Sequence, residues 1–297
     1  MRRGSLGWLL RHEVRVRWRE LTGETKPSTL LLAGIGIVAV AHMILLSIAW
    51  SLGDLIQTPL PPESVLLAAL VVLVFFPFGV ATGVNHAVVA LFDRGDLDLL
   101  VSSPLSSRVV FASRVVAVAA SVFVGLGLFM LPIGSLGLML GVPQLLGVVP
   151  TLVALSLVSA SAGMLITLLL VRWLGPRRAR TSAQLLAAFT GMLLFLATQI
   201  PAFLGDDTDI TAGIANALRH FEPGDALAPD SLVWLPFRSL FLHPLGTIVA
   251  LAGAGLVAWL TINALHSSFA HGIGLSEGRR VTRRTGDTPV RFAQRGA

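Results

Sequence analysis

The chain has 297 residues, of which 54% are hydrophobic and 13% charged, with no cysteine and a formal net charge of +6. A soluble domain carries about 25% charged residues, so this composition excludes an ordinary soluble globule and points to an all-α, polytopic membrane protein. Missing thiols exclude disulfides, thiol nucleophiles and cysteine-ligated metals. The cations lie between apolar runs, where membrane orientation accounts for them better than nucleic-acid binding does.

Residues 5–22, SLGWLLRHEVRVRWRELT, have a helical period. Leu10, Val14 and Trp18 form one stripe, and Arg11, Arg15 and Arg19 form a second, rotated by one residue. Together they predict an amphipathic helix, within an N-terminal segment 1–27, lying in the membrane interface with its guanidinium groups among lipid phosphates. Trp8 and Trp18 add interfacial anchors. The plainer alternative is a basic flank that only orients the first span. Six arginines precede any long apolar run, an order unlike that of a cleavable signal peptide.

Six apolar runs follow, at 28–50, 64–91, 109–133, 145–171, 183–204 and 246–268. Each can cross a hydrocarbon core that needs ~20 helical residues, which gives a six-helix transmembrane domain over 28–270. Pro77, Pro132 and Pro150 fall inside these runs or at their ends, where neighbouring helices can satisfy the freed carbonyls. In a six-span arrangement 20 of the 22 basic residues share one side, and only Arg219 and Arg238 fall on the other. The positive-inside rule then places both termini in the cytoplasm.

On the opposite side, residues 51–63 carry Asp54 and Glu63 but no basic residue, and the long connection 205–245 begins with Asp206, Asp207 and Asp209. Within it, SLVWLPFRSLFLHP (231–244) is too short to span and reads either as a re-entrant or interfacial helix or as a surface loop with anchoring aromatics. Residues 271–297 are rich in arginine with Gly, Thr and Pro, and are expected to form a basic cytoplasmic tail, disordered beside anionic lipid.

The only lysine is Lys26, in ETKPS, so the chain cannot contain the lysine-bearing P-loop of an ATPase. HExxH does not occur, and no catalytic residue, metal site or cofactor site is assigned. All 16 acidic residues fall in connections or termini, which weighs against a proton- or sodium-driven carrier. The polar residues singled out within the runs are His42, Asn85, His86, Gln199, Asn263 and His266. Each reads first as an interhelical hydrogen bond worth ~0.6 kcal/mol, with Asn85, His86 and Asn263 as candidates for lining a substrate pathway. The pairs Gly34/Gly36, Gly125/Gly127 and Gly253/Gly255 are expected to permit close helix contact.

The chain is organised around Phe92–Arg108, FDRGDLDLLVSSPLSSR, a polar stretch between the second and third runs. Asp93, Asp96 and Asp98 can meet basic groups on a partner and steer docking. Leu97, Leu99 and Leu100 supply an apolar anchor, Pro104 ends the short helix, and Ser106 or Ser107 can cap the third span. With Arg94, this arrangement resembles the cytoplasmic loop of ABC-2-type transporter permeases. There a span ends in an acidic, arginine-containing turn, followed by a leucine-bearing helix and an SP or LP break.

The resemblance covers about residues 5–270 in general organisation. It implies the permease subunit of an ATP-driven exporter in a bacterial-type cytoplasmic (inner) membrane. The loop 92–108 would dock on a separate ATPase subunit that holds ATP and Mg, and the substrate path would run between two permease halves. Some relatives carry a second six-span half, so this chain reads as a half-size subunit that pairs as a homodimer or as one half of a split pair. The rival readings are a stand-alone secondary carrier and a non-transporting membrane scaffold or assembly protein. An intramembrane enzyme is the most distant, because no acid, base or metal cluster converges in the spans.

Overall fold

A computed structural model describes residues 27–51, 64–90, 106–175, 178, 181–182, 184–192, 196 and 231–284. The N-terminal helix expected within 1–27, the central stretch up to residue 105, most of the run 183–204, the connection 205–230 and the tail beyond Arg284 lie outside these residues.

An aliphatic run in a bilayer has no water for its backbone and must satisfy its peptide groups internally, which favours helix. The described elements are accordingly helical: α1 Pro27–Ser51, α2 Ser64–Val88, α3 Ser107–Met139, a 3-10 helix η1 at Pro143–Gly147, α4 Val148–Leu174, a second 3-10 helix η2 at Leu232–Phe241, and α5 Pro244–Arg284. Four of the apolar stretches are long enough to cross a membrane: Ser64–Val88, Ser107–Met139, Pro143–Leu174 and Pro244–Ser268. None of the four contains Asp or Glu. The apolar part of α1, Leu31–Ser47, is shorter. α5 continues to Arg284, past residue 271 where the tail was expected to begin.

Local chemistry sets the ends. Gly141 takes φ +75 in the turn between α3 and η1, and Gly175 takes φ +78 just after α4, a region that a side chain disfavours. The Gly175 N–H donates to the Val171 carbonyl at 3.0 Å and closes the last turn of α4. Pro150 falls in the first turn of α4, where its missing N–H would have had no intrahelical partner.

α4 is the central element and packs against α2, α3 and α5. The largest enclosed side chains are Phe111, Leu126 and Met130 from α3, Leu152 and Met164 from α4, and Leu265 from α5. α1 packs chiefly against α3 and turns most of its apolar side chains outward, with Leu32 68% and Met43 65% exposed.

The tightest packing joins α2 to α4. A Cβ on Gly83 would stand 2.7 Å from the Ser159 carbonyl oxygen, and one on Gly163 would stand 2.5 Å from the Gly83 carbonyl carbon. Gly79 faces the Ser159 hydroxyl, and the Thr167 hydroxyl donates to the Val84 carbonyl at 3.4 Å. Gly79 and Gly83 on α2, and Ser159, Gly163 and Thr167 on α4, repeat every four residues, which keeps each set on one face of its helix.

The glycines expected to make such contacts do not make them. A Cβ on Gly34, Gly36, Gly253 or Gly255 would meet nothing within 4 Å, and Gly125 reaches only the Thr82 methyl group, at 4.0 Å. Gly127 makes ordinary contacts with Leu131 and Leu152. A spacing of two residues turns successive glycines about 200° around a helix, so the pair cannot open one groove.

η2 covers one end of this core. The segment 231–244 forms a short helix that packs against α2, α4 and α5 rather than a detached loop. Gly147, at the start of α4, lies so close that a Cβ would run into the Ser239 and Leu240 carbonyls. The Thr151 and Ser239 hydroxyls lie 2.8 Å apart, and each also reaches a carbonyl of its own segment, Gly147 and Pro236 respectively. η2 ends at Leu242, whose φ of 53 is left-handed. The Gly246 N–H then donates to His243 Nδ1 at 3.2 Å, capping α5.

Candidate functional site

The site of interest is the descent from the central stretch into α3. Ser106 has the extended conformation of an N-cap (φ −65, ψ 131), yet its hydroxyl makes no cap bond. Its carbonyl accepts from the Val109 and Val110 N–H groups, at 2.9 and 3.3 Å. Nor does Ser107 cap the helix with its side chain. Its hydroxyl lies 2.8 Å from Nδ1 of His266 on α5, a hydrogen bond whose donor depends on the imidazole tautomer. The expectation that one of these hydroxyls caps the third span is therefore corrected: an interhelical partner takes Ser107 instead.

Two turns further along α3, Arg114 is 5% exposed and is partnered. Arginine placement in the sequence groups it with the cations flanking the central stretch, but α3 starts at Ser107 and carries it inside the bundle. A buried guanidinium is costly unless it is paired and hydrogen-bonded.

At the other end of α3 a second histidine joins two helices. His42 Nδ1–H on α1 donates to the Val38 carbonyl at 2.8 Å, one turn back on its own helix. A carbonyl only accepts, so Nδ1 carries the proton, and in the neutral ring Nε2 accepts from the Ser135 hydroxyl of α3 at 2.8 Å. That hydroxyl also lies 3.0 Å from the Pro132 carbonyl. His42 and His266 thus make the interhelical bonds expected of span histidines.

The residues expected to line a pathway fall at separate places. Asn85 is exposed on the last turn of α2, and His86 beside it is half-buried and partnered. Asn263 Nδ2 donates to the Trp259 carbonyl of its own helix at 3.0 Å. The coupling residues Asp93, Arg94, Asp96, Leu97, Asp98, Leu99, Leu100 and Pro104, and the interfacial Trp8, Arg11, Arg15, Trp18 and Arg19, lie outside the described residues. Among the described residues, no three His, Asp or Glu side chains converge as a metal site would need.

Sequence reasoning gave Ser107 a capping role and Arg114 a flanking one, and passed over Ser135, Ser159 and Ser161. The last two are fully enclosed, with hydroxyls that have no hydrogen-bond partner. One signal for Ser159 was available, the SASAG run at 159–163 opposite the GVATG run at 79–83, since small residues four apart mark close-packed helix faces. Comparison with protein-family models, curated proteins and solved structures finds no match.

Proposed function

We propose that the chain is the permease subunit of an ATP-driven exporter of the ABC-2 type, coupled through residues 92–108 to a separate ATPase subunit. The observation that carries this reading is the acidic, leucine-bearing stretch FDRGDLDLLVSSP. It is supported by the placement of that stretch between α2 and α3, two long apolar helices that pack against each other. A segment so placed can be pushed by a cytoplasmic partner and can pass the displacement into both helices.

The proposal includes six spans, with α1 and the run 183–204 joining the four long apolar helices, and both termini on the cytoplasmic side of a bacterial-type inner membrane. The basic residues support that sidedness, since in the six-span arrangement 19 of the 22 flank the spans on that side, Arg114 being enclosed in α3. A second permease half completes the substrate path, and ATP and Mg bind on the partner.

The test is purification of the tagged full chain in mild detergent, with ATPase activity assayed on the eluate. A co-purifying ATPase that is lost when Leu97, Leu99 and Leu100 are changed together to Ser supports the coupling role. A clean preparation from cells that express the neighbouring genes overturns it.

A further inference from the structure

α3 is the helix that any push on 92–108 must enter, because it begins at Ser107, where that stretch ends. It is also held to a different helix at each end by the same chemistry. Ser107 bonds His266 of α5 at 2.8 Å, and Ser135 bonds His42 of α1 at 2.8 Å. At 1.5 Å per residue these two contacts stand about 42 Å apart along the helix axis, close to the full length of α3. Between them α3 packs through Phe111, Leu126 and Met130 into the core around α4.

We infer that α3 is a transmission rod whose input contact is Ser107–His266 and whose output contact is His42–Ser135. The inference rests on the permease reading given above. Three features favour transmission over simple adhesion. The contacts sit at the ends of one helix, where a given rotation produces the largest displacement. Among the described elements α1 packs chiefly against α3, so a shift of α3 is passed to α1 more directly than to any other described helix. The His266 imidazole can also reverse its role between donor and acceptor, so the input bond can persist while the helices shift. Ser107 and His266 are positioning residues here, acting on the bundle rather than on ATP or cargo.

The absence of native cysteine makes a clean test possible. Leu32→Cys on α1 and Leu256→Cys on α5 place two spin labels on outward-facing positions, away from both contacts. The full chain is purified with its ATPase in lipid nanodiscs, and the label–label distance is compared without nucleotide and with ATP plus vanadate. Trapping shifts the distance in the otherwise native protein.

In His266→Leu, outside the docking stretch, the ATPase stays bound and hydrolyses ATP, but the shifted population falls about threefold or more, the scale of one interhelical hydrogen bond expressed as a population ratio, and Ser107→Ala lowers it likewise. Ser107→Thr, which keeps the hydroxyl, restores it. His266→Asn retains the shift and His266→Leu loses it, which separates loss of the contact from loss of folding. A native shift in both Ser107→Ala and His266→Leu overturns the rod while the ATPase remains bound. If no ATPase co-purifies, or none is released when Asp93, Asp96 and Asp98 are changed to Arg, the permease reading fails first and the rod falls with it.

Discussion

α1 and α4 are built from similar residues yet occupy opposite environments. α4 is enclosed by α2, α3 and α5, whereas α1 packs chiefly against α3 and faces outward elsewhere. In water both would be driven inward. In a bilayer, lipid tails solvate Leu as well as another helix does, so hydrophobicity selects insertion but not position within the bundle. Position is set by what lets backbones touch. α4 has Ser159, Gly163 and Thr167 four residues apart and meets α2 almost backbone to backbone. α1 has Gly34 and Gly36 on different faces and meets only open space at both.

The comparison breaks most severely at Gly163. Gly163→Val forces α2 and α4 apart against backbone atoms, and overpacking of this kind costs about 1–3 kcal/mol or more. Thermal unfolding of the detergent-solubilised chain, followed by gel filtration, should show a large loss of folded protein. Gly34→Val should stay within about 0.5 kcal/mol, as expected of a surface site. Equal losses in the two variants would refute the distinction between the enclosed and the outward-facing helix.

An effect toward the lower end of that range, about 1 kcal/mol, is expected for Gly147→Ala, which lifts η2 off the start of α4. It should make an introduced Leu240→Cys, otherwise buried, react with a membrane-impermeant maleimide. The same cover can be strengthened. Leu242 sits in the left-handed region at the end of η2, a conformation that costs a non-glycine residue about 1–2 kcal/mol. Leu242→Gly should raise the unfolding midpoint by a part of that, because glycine is freer in the unfolded chain.

The weakest effect concerns the hold on α1. His42→Leu removes one interhelical bond, worth ~0.6 kcal/mol. A double-mutant cycle with Ser135→Ala should show the two losses to be non-additive.

The helices themselves were legible in the sequence to within a few residues at most ends. The runs 28–50 and 64–91 correspond to Pro27–Ser51 and Ser64–Val88, because an uninterrupted aliphatic run in a bilayer has little alternative to helix. α3 overran its expected end at 133 and continues to Met139. Pro132 does not stop it, since in a packed helix neighbouring groups accommodate a proline. The polar contacts were harder to see. His42 and His266 announced themselves as hydrogen-bonding groups in apolar runs, but Ser107 and Ser135 look like ordinary helix serines until another helix brings a histidine within reach. Arg114 was misplaced for a similar reason: position in sequence cannot distinguish a cation at the mouth of a helix from one enclosed two turns inside it.

The turn between α3 and η1 governs how the chain assembles. Leu140, Gly141 and Val142 alone separate the two helices, so α3 and α4 are neighbours from synthesis and can pair as soon as both have left the ribosome. The seam between α2 and α4 closes across the whole of α3, a loop of higher entropic cost. α2 leaves the ribosome before α4, so the face that carries Gly79 and Gly83 is without its α4 partner until α4 arrives. During that interval the groove is open to any other helix with small residues at the same spacing, which makes α2 the span on which a biogenesis factor or a misplaced neighbour would act.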